Sequence, residues 1–468
     1  MNRITFWGAA RTVTGSKHLI ETAKGQKILL DCGMFQGLRE NLQYNKHFGF
    51  SPAEVEAVIL THAHIDHSGL IPRLCREGFS GKIFCTPATQ ELTRLMLYDS
   101  AKIQEEDTRF VNKYREKEGI RLVEPLYTTS DVTRCLIQFK SVDFFVPFEV
   151  LEGVYCTFTV AGHILGSAVA NITLQGGEGQ QIKICYSGDL GRYDDEVMLA
   201  PGQALSADYI ICETTYGDRL HLKDFRTEEE LLNEIEYTCL IKKGVLVIPA
   251  FSVGRTQGLL YHLNSLFNSG RLPPIDIFVD SPMAREATDI VRRFPHLYNE
   301  QVRGLLEKDS DVFGFPGLFF INNSEDSKRL NERNEPFVVI SASGMADAGR
   351  VKHHIRHRIS DRKNTILFTG YSEPETLGGK LSSGQKKVKI YGEELDVRCE
   401  VHKLQSMSAH GDVHDLLTFL EQFDPRKVKR LFLVHGSYDA QEHFGAMCRA
   451  KGFLNVDIPE RGAIRTLD

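Results

Sequence analysis

The segment His62-Ala63-His64-Ile65-Asp66-His67 places four nitrogen or oxygen ligands within six residues, directly after the apolar run Ala57 to Leu60. Ligand density of this kind needs a common purpose. If the run is a strand and the motif curls through the loop beyond its carboxyl end, His62 and His64 can approach one ion while Asp66 and His67 reach an adjacent one. Three distant segments can complete the shell: His163 in AGHILGS, Asp189 in YSGDL and His435 in LFLVHGS, each at or just beyond a strand-like run. Chemistry at strand carboxyl ends is the habit of α/β proteins.

The rest of the chain supports that class. Short apolar stretches at Ile4 to Phe6, His18 to Glu21 and Lys27 to Leu30 read as strands joined by glycine turns. A helix is expected from Leu70 to Glu77, and a helical arm or pair of helices from Thr89 to about Glu118. Strands return between Thr133 and Leu174, at Gln181 to Cys185 and at residues 209–215. From there the pattern changes: an acidic amphipathic helix over Thr227 to Lys243, the apolar run Val245 to Pro249, and further helix and strand signals indicate a second α/β domain. The stretch from Glu307 to Pro336 reads as loop with short helices. At 468 residues the chain is too long for one ordinary core.

Ten cysteines without close pairing, several inside apolar runs, read as buried thiols in a reducing compartment, so a cytoplasmic protein is expected. No segment approaches the roughly 20 apolar residues of a membrane span. The formal charge of −6 lacks the basic excess of many nucleic-acid binders. Residues 350–389 nevertheless carry ten Lys or Arg against three acidic residues, a local +7.

With these motifs in view, the sequence resembles the metallo-β-lactamase fold superfamily, and more narrowly its β-CASP branch of nucleic-acid-processing hydrolases, over nearly its full length. The resemblance implies a four-layer αββα metallo-β-lactamase domain, residues 1–210 and 385–468, interrupted by an inserted α/β β-CASP domain, residues 211–384. It places His62, His64 and His163 around one zinc ion, Asp66, His67 and His435 around a second, and Asp189 between them. Asp31 matches an early acidic motif that supports a ligating histidine by accepting its other ring N–H. Glu213 pairs with His410 of SMSAHGD, and His410 is the implied proton donor to the leaving oxygen. Asp66 and Asp189 are the two candidates for orienting the attacking water.

The motifs PAFSVGRTQ, DSPMA and SASGMADAGRVKHH resemble the β-CASP phosphate-binding surface, which points to Ser252, Arg255, Thr256, Ser343, Arg350, His353, His354 and, further on, Lys380. Two departures stand out: Gly379 occupies a position where many relatives carry a basic residue, and Gly258 follows Gln257 where an acidic one is common. The implied activity is zinc-dependent phosphodiester hydrolysis of RNA, expected single-stranded, through a water activated by two Zn2+ ions. Endonucleolytic and 5′-to-3′ exonucleolytic modes both stay open. A homodimer is compatible with the resemblance; a membrane or nucleotide cofactor is not expected. Competing readings are a zinc hydrolase of a small ester or lactam, disfavoured by the inserted domain, and an RNA-binding scaffold without turnover.

Overall fold

The computed structural model describes residues 1–37, 39–175, 180–221, 227–370, 372–404 and 407–468. Ser406, the first residue of SMSAHGD, lies outside the described residues. The chain forms two compact units: Met1–Leu220 with His410–Asp468, and His221–Ala409.

The first unit is built on two mixed sheets, each of seven strands among the described residues. One runs in the order Ile464–Leu467, Asn2–Gly8, Lys17–Glu21, Lys27–Leu30, Ala57–Ile59, Lys82–Cys85, Phe139–Ser141. The other runs Val456–Asp457, Arg430–Val434, Tyr209–Glu213, Gln181–Tyr186, Ala168–Gln175, Val154–Val160, Phe148–Leu151. Alternate residues of both, such as Phe6, Ile28 and Ile59 from one and Phe158, Ile184 and Phe432 from the other, share one core. The opposite faces also bury apolar residues. Val58 and Leu60 pack with Leu74, Leu97 and Val132 of helices Ile71–Arg76, Pro87–Lys117 and Thr129–Leu136. Ile210 and Leu433 pack with Leu416, Phe419 and Phe444 of helices Val413–Leu420 and Tyr438–Ala450. Strands buried on both faces must read as near-continuous apolar runs. The layering is therefore the expected αββα.

Strand direction places the chemistry. Lys27–Leu30, Ala57–Ile59 and Lys82–Cys85 are mutually parallel, as are Gln181–Tyr186, Tyr209–Glu213 and Arg430–Val434. The segments bearing Asp31, His62, Asp189 and His435 each follow one of these strands, and Glu213 ends one.

The second unit carries a parallel sheet in the order Leu318–Phe320, Ile277–Asp280, Phe337–Ser341, Val245–Pro249, Thr365–Phe368, Glu400–Lys403. The unit boundaries fall later than the 211–384 read from sequence. Tyr209–Glu213 hydrogen-bonds between two strands of the first unit, which keeps it there. At the other end, the hairpin Lys387–Ile390 with Glu393–Asp396 and the strand Glu400–Lys403 stay with the second unit, the latter as a parallel neighbour of Thr365–Phe368. Of the two alternatives for the arm, the structure has the single helix, Pro87–Lys117. Two local expectations are corrected. The expected helix over Thr227 to Lys243 stops at Ile235 and continues as a π-helical turn, Glu236–Ile241. The polar stretch before Pro336 includes the edge strand Leu318–Phe320, whose β pairing with Ile277–Asp280 is invisible to local composition.

Phe432 is fully buried between the sheets, 5.1 Å from the Phe6 ring and stacked on Tyr209. Phe432→Ala should destabilise the first unit by about 3–5 kcal/mol, read as a lower urea midpoint of its unfolding transition.

Candidate metal centre

Leu60 donates its backbone N–H to Phe84, extending the ladder beyond Ile59, and the chain then turns through His62 and His64 into the short helix Ile65–Ser68. Gly33 of the Asp31 loop lies so close to this turn that a Cβ there would meet the Asp66 carbonyl oxygen at 1.6 Å. Only glycine fits. Asp31 and His435 both adopt left-handed backbone, φ 56° and 51°, a sparsely populated state for residues with side chains that surrounding bonds must hold.

Three groups of potential ligands result among the described residues: Asp189, Glu213 and His410 form one, and the other two are clusters of the expected metal ligands. His62, His64, His163 and Asp189 present ligand atoms all within 4.8 Å of one another, as do Asp66, His67 and His435. In the first, His64 Nδ1 lies 3.2 Å from His62 Nε2 and 3.1 Å from His163 Nε2. In the second, His435 Nε2 lies 3.1 Å from His67 Nε2 and 3.3 Å from Asp66 Oδ2. Asp189 addresses both: Oδ2 is 3.5 Å from His62 and 3.7 Å from His163, while Oδ1 is 3.1 Å from His67 and 3.6 Å from His435. The structure thus gathers all seven residues expected to bind metal, in the two sets expected.

The donor chemistry fits a metal. Nitrogens bound about 2.0–2.1 Å from a tetrahedral ion stand roughly 3.3–3.4 Å apart, close to the spacings found. Asp189 Oδ1 is buried without an aligned donor, a cost that a bound cation would remove. Burial holds His62 well below its ordinary range and His64 down to about 4, which leaves their ring lone pairs available. Burial raises Asp66, but the hydrogen bond to His435 and the neighbouring imidazoles outweigh it and hold the carboxyl at about 2. His67 is the exception: burial lowers it, yet Asp189 and Asp31 raise it well above its usual value. A metal at this nitrogen would displace that proton.

Two carboxylates outside the clusters orient the rings. Asp31 Oδ2 accepts from His67 Nδ1 at 2.7 Å, Tyr186 Oη at 2.7 Å and Thr61 Oγ1 at 2.8 Å. Because the Thr61 hydroxyl hydrogen is committed to Asp31, its oxygen accepts from His62 Nδ1 at 3.2 Å. Glu213 repeats the arrangement. Its Oε1 lies 3.2 Å from His410 Nδ1, and its Oε2 accepts from Thr215 Oγ1 at 2.5 Å. Thr215 Oγ1 then lies 3.0 Å from His435 Nδ1 and accepts its proton. Thr61 and Thr215 were missed in the sequence, where a threonine just past a strand end is indistinguishable from an ordinary turn residue.

The phosphate-binding candidates all lie in the second unit, several near strand carboxyl ends. Ser252 meets Ser281 of DSPMA at 3.1 Å, and Thr256 donates to the Phe251 carbonyl at 2.8 Å. Arg255 donates to the Thr369 carbonyl, and Ser343 to that of Ala348 at 3.4 Å. Arg350 and His354 both bind Asp280, at 2.7 and 2.6 Å, with His354 buried. The exposed His353 stacks on Tyr391, and Lys380 lies on the helix Leu377–Ser382. The local +7 shrinks in three dimensions. Arg358 is buried, donating to three carbonyls, while Arg356 and Lys387 pair with Glu393 and Glu394 just outside the counted window.

Residues 15–236 match the metallo-beta-lactamase superfamily model, 256–381 the Beta-Casp domain, and 394–459 the Zn-dependent metallo-hydrolase RNA specificity domain. Ribonuclease TTHA0252 of Thermus thermophilus is 37% identical over 96% of this chain and 96% of its own. The chain belongs to the β-CASP branch of the metallo-β-lactamase superfamily. Transcription termination factor FttA of Methanococcus maripaludis is 31% identical over 93% of this chain and 67% of its own length. The RNase J-like protein of Methanocaldococcus jannaschii is 27% identical over 98% and 99%. A crystal structure of a protein of unknown function from Enterococcus faecalis, 12% identical, shares the fold with a TM-score of 0.55 over 99% of both chains. As a β-CASP family member the chain is a metal-dependent hydrolase.

Thr215→Val removes the acceptor for His435 Nδ1 while keeping the side-chain volume. It should weaken metal retention by about 10–100-fold, measured by chelator competition, and Thr215→Ser should restore it.

Proposed function

We propose that this chain is a zinc-dependent ribonuclease that hydrolyses phosphodiesters of single-stranded RNA at a dinuclear site. The reading rests chiefly on Asp189, whose two oxygens face two separate ligand clusters. His62, His64 and His163 would hold one ion, Asp66, His67 and His435 the other, with Asp189 shared. Imidazole and carboxylate donors suit zinc. When bound, such a pair supplies Lewis acidity and lowers the pKa of water.

The chain's own groups supply the rest. Asp31 and Glu213 fix the ring orientations, directly at His67 and His410 and through Thr61 and Thr215 at His62 and His435. Asp66 and Asp189 are the carboxylates able to orient the attacking water. Nδ1 of His410 is engaged by Glu213, so the opposite nitrogen, Nε2, delivers a proton to the leaving oxygen. Burial lowers the His410 pKa, but Glu213, Asp189 and Asp66 outweigh it and carry it to about 9, which favours the acid form. Bound cations would push it back toward neutrality, the range for a proton donor at physiological pH.

RNA is favoured over a small ester or lactam by the match to an RNA specificity domain and by relatives named for RNA processing. In the second unit, Ser252, Arg255, Ser343, His353 and Lys380 remain the candidates for phosphate contact. Arg350 and His354 are better read as braces on Asp280, and Thr256 as a tie from the first helical turn back to the Phe251 carbonyl. All ten cysteines are free thiols, which suits a cytoplasmic setting. No helix among the described residues is long and apolar enough to cross a membrane.

Zinc-loaded protein is expected to cleave end-labelled single-stranded RNA, lose cleavage on chelation and regain it with zinc. Equal cleavage of matched DNA would broaden the substrate, and no cleavage at full metal occupancy would sink the assignment. His410→Ala should keep wild-type zinc stoichiometry and slow the cleavage step by about 10²–10⁴-fold. Loss of zinc in that variant would move His410 into the metal shell.

A further inference from the structure

The helix Pro87–Lys117 begins beside the metal centre and ends away from any core. At its start, Thr86 and Thr89 both donate to the Gly166 carbonyl, in the loop that carries His163. Its buried residues are Ala88, Thr89, Leu92, Thr93, Leu97 and Ala101. Beyond Ala101, the stretch to Lys117 buries nothing and extends roughly 24 Å at 1.5 Å per residue.

This outer half is ordered from one side. Asn112 exchanges two hydrogen bonds of 2.9 Å with the backbone of Val123, and Arg115 donates to the Arg121 carbonyl at 2.7 Å. The returning chain therefore lies against the face bearing Asn112 and Arg115. The opposite face carries Phe110, Lys113, Tyr114 and Lys117, which at 3.6 residues per turn fall within an arc of about 100°. Phe110 is 78% exposed and Tyr114 64%, and both lysines are exposed. Glu106, one turn before Phe110, also falls within that arc, with Asp107 at its edge; from Arg109 to Lys117 no acidic residue does. Beyond Ala101 the helix carries five basic and four acidic residues, with three of the four acids in Glu105–Asp107, so the basic excess is confined to its tip, where residues 109–121 hold five basic and two acidic residues.

Exposed aromatic rings one turn apart are unfavourable in water and call for an occupant. A partner protein that grips a helix wants apolar anchors at i, i+3, i+4 and i+7. Counted from Phe110, the i+3 and i+7 positions are lysines. Alternating rings and cations match instead a strand of stacked bases with a phosphate backbone beside them.

We infer that this arm is a second RNA-contact surface, on which bases stack against Phe110 and Tyr114 while Lys113 and Lys117 meet phosphates. The inference rests on the ribonuclease reading above. It gives the enzyme a hold on substrate away from the scissile bond, so long RNA gains affinity that short RNA cannot.

The test uses full-length, zinc-loaded protein and fluorescent 2′-O-methyl oligoribonucleotides, which resist cleavage, of about 6 and about 30 nucleotides. Anisotropy titrations compare wild type with Phe110→Ala/Tyr114→Ala and with Lys113→Ala/Lys117→Ala, all solvent-exposed changes. Wild type should prefer the longer RNA. The aromatic pair should lose about tenfold or more of that preference, and the lysine pair should lower the slope of log affinity against log salt by about 1.4. Wild-type binding by the aromatic variant overturns the inference, whether the lysine variant weakens or not. So does an altered sedimentation coefficient with RNA binding intact, which would make the arm a protein contact. Cleavage of unmodified short RNA by wild type is scored separately. If it occurs without a length preference, the nuclease reading stands and the arm proposal falls; if no RNA is bound or cleaved, both fall.

Discussion

Gathering six imidazoles and four carboxylates, most of them buried, where two apolar sheets meet would cost several kcal/mol for each unpaired buried charge, so the fold of the first unit depends on how those groups are compensated. Asp31 and Glu213, both fully buried, provide much of the answer. Each takes one imidazole directly and a second through a threonine hydroxyl. The hydroxyl is suited to that middle place because it donates one hydrogen and accepts another. Its donation to the carboxylate leaves the oxygen able only to accept, which sets the ring tautomer and points the other nitrogen toward the cluster. The same bonds thus solve a stability problem and prepare a ligand geometry.

What was legible in the sequence follows from the range of the forces involved. His62, His64, Asp66 and His67 sit in one motif because one turn delivers them all, and the strand-end positions of His163, Asp189 and His435 are marked by the apolar runs before them. The apolar runs marked the strands, while the αββα layering came from the family resemblance; strands covered on both faces are apolar along their length in either case. Thr61 and Thr215 were not legible, because a threonine after a strand has no local mark that separates a relay from a turn. Leu318–Phe320 was missed because it exists by virtue of its neighbour Ile277–Asp280.

Charge sums along the chain proved a poor guide to surface. The +7 over residues 350–389 counts Arg358, which is buried against carbonyls, and Arg350, which is committed to Asp280. It also omits Glu393 and Glu394, which neutralise Arg356 and Lys387 from just beyond the window. The count failed because the partners of these side chains come from elsewhere in the chain: Arg350 reaches back 70 residues to Asp280 and Arg356 forward 37 to Glu393. Over the outer arm sequence distance and spatial distance agree better, because consecutive turns of a solvated helix keep neighbours in sequence near one another in space.

The insertion itself has an energetic logic that the first unit displays without reference to where the second one lies. Glu213 and His410 meet at 3.2 Å although 197 residues separate them. If that intervening chain were flexible, closing the loop would cost about 4–5 kcal/mol from the length term alone, a charge set against a single hydrogen-bonded pair. The backbone shows how this is avoided: Val413 donates to the Arg219 carbonyl at 3.1 Å, so the chain leaves and re-enters the first unit at one place. A segment that folds into its own core with its ends together converts the loop into a short connection. Closing the Glu213–His410 pair then costs little more than closing that short connection.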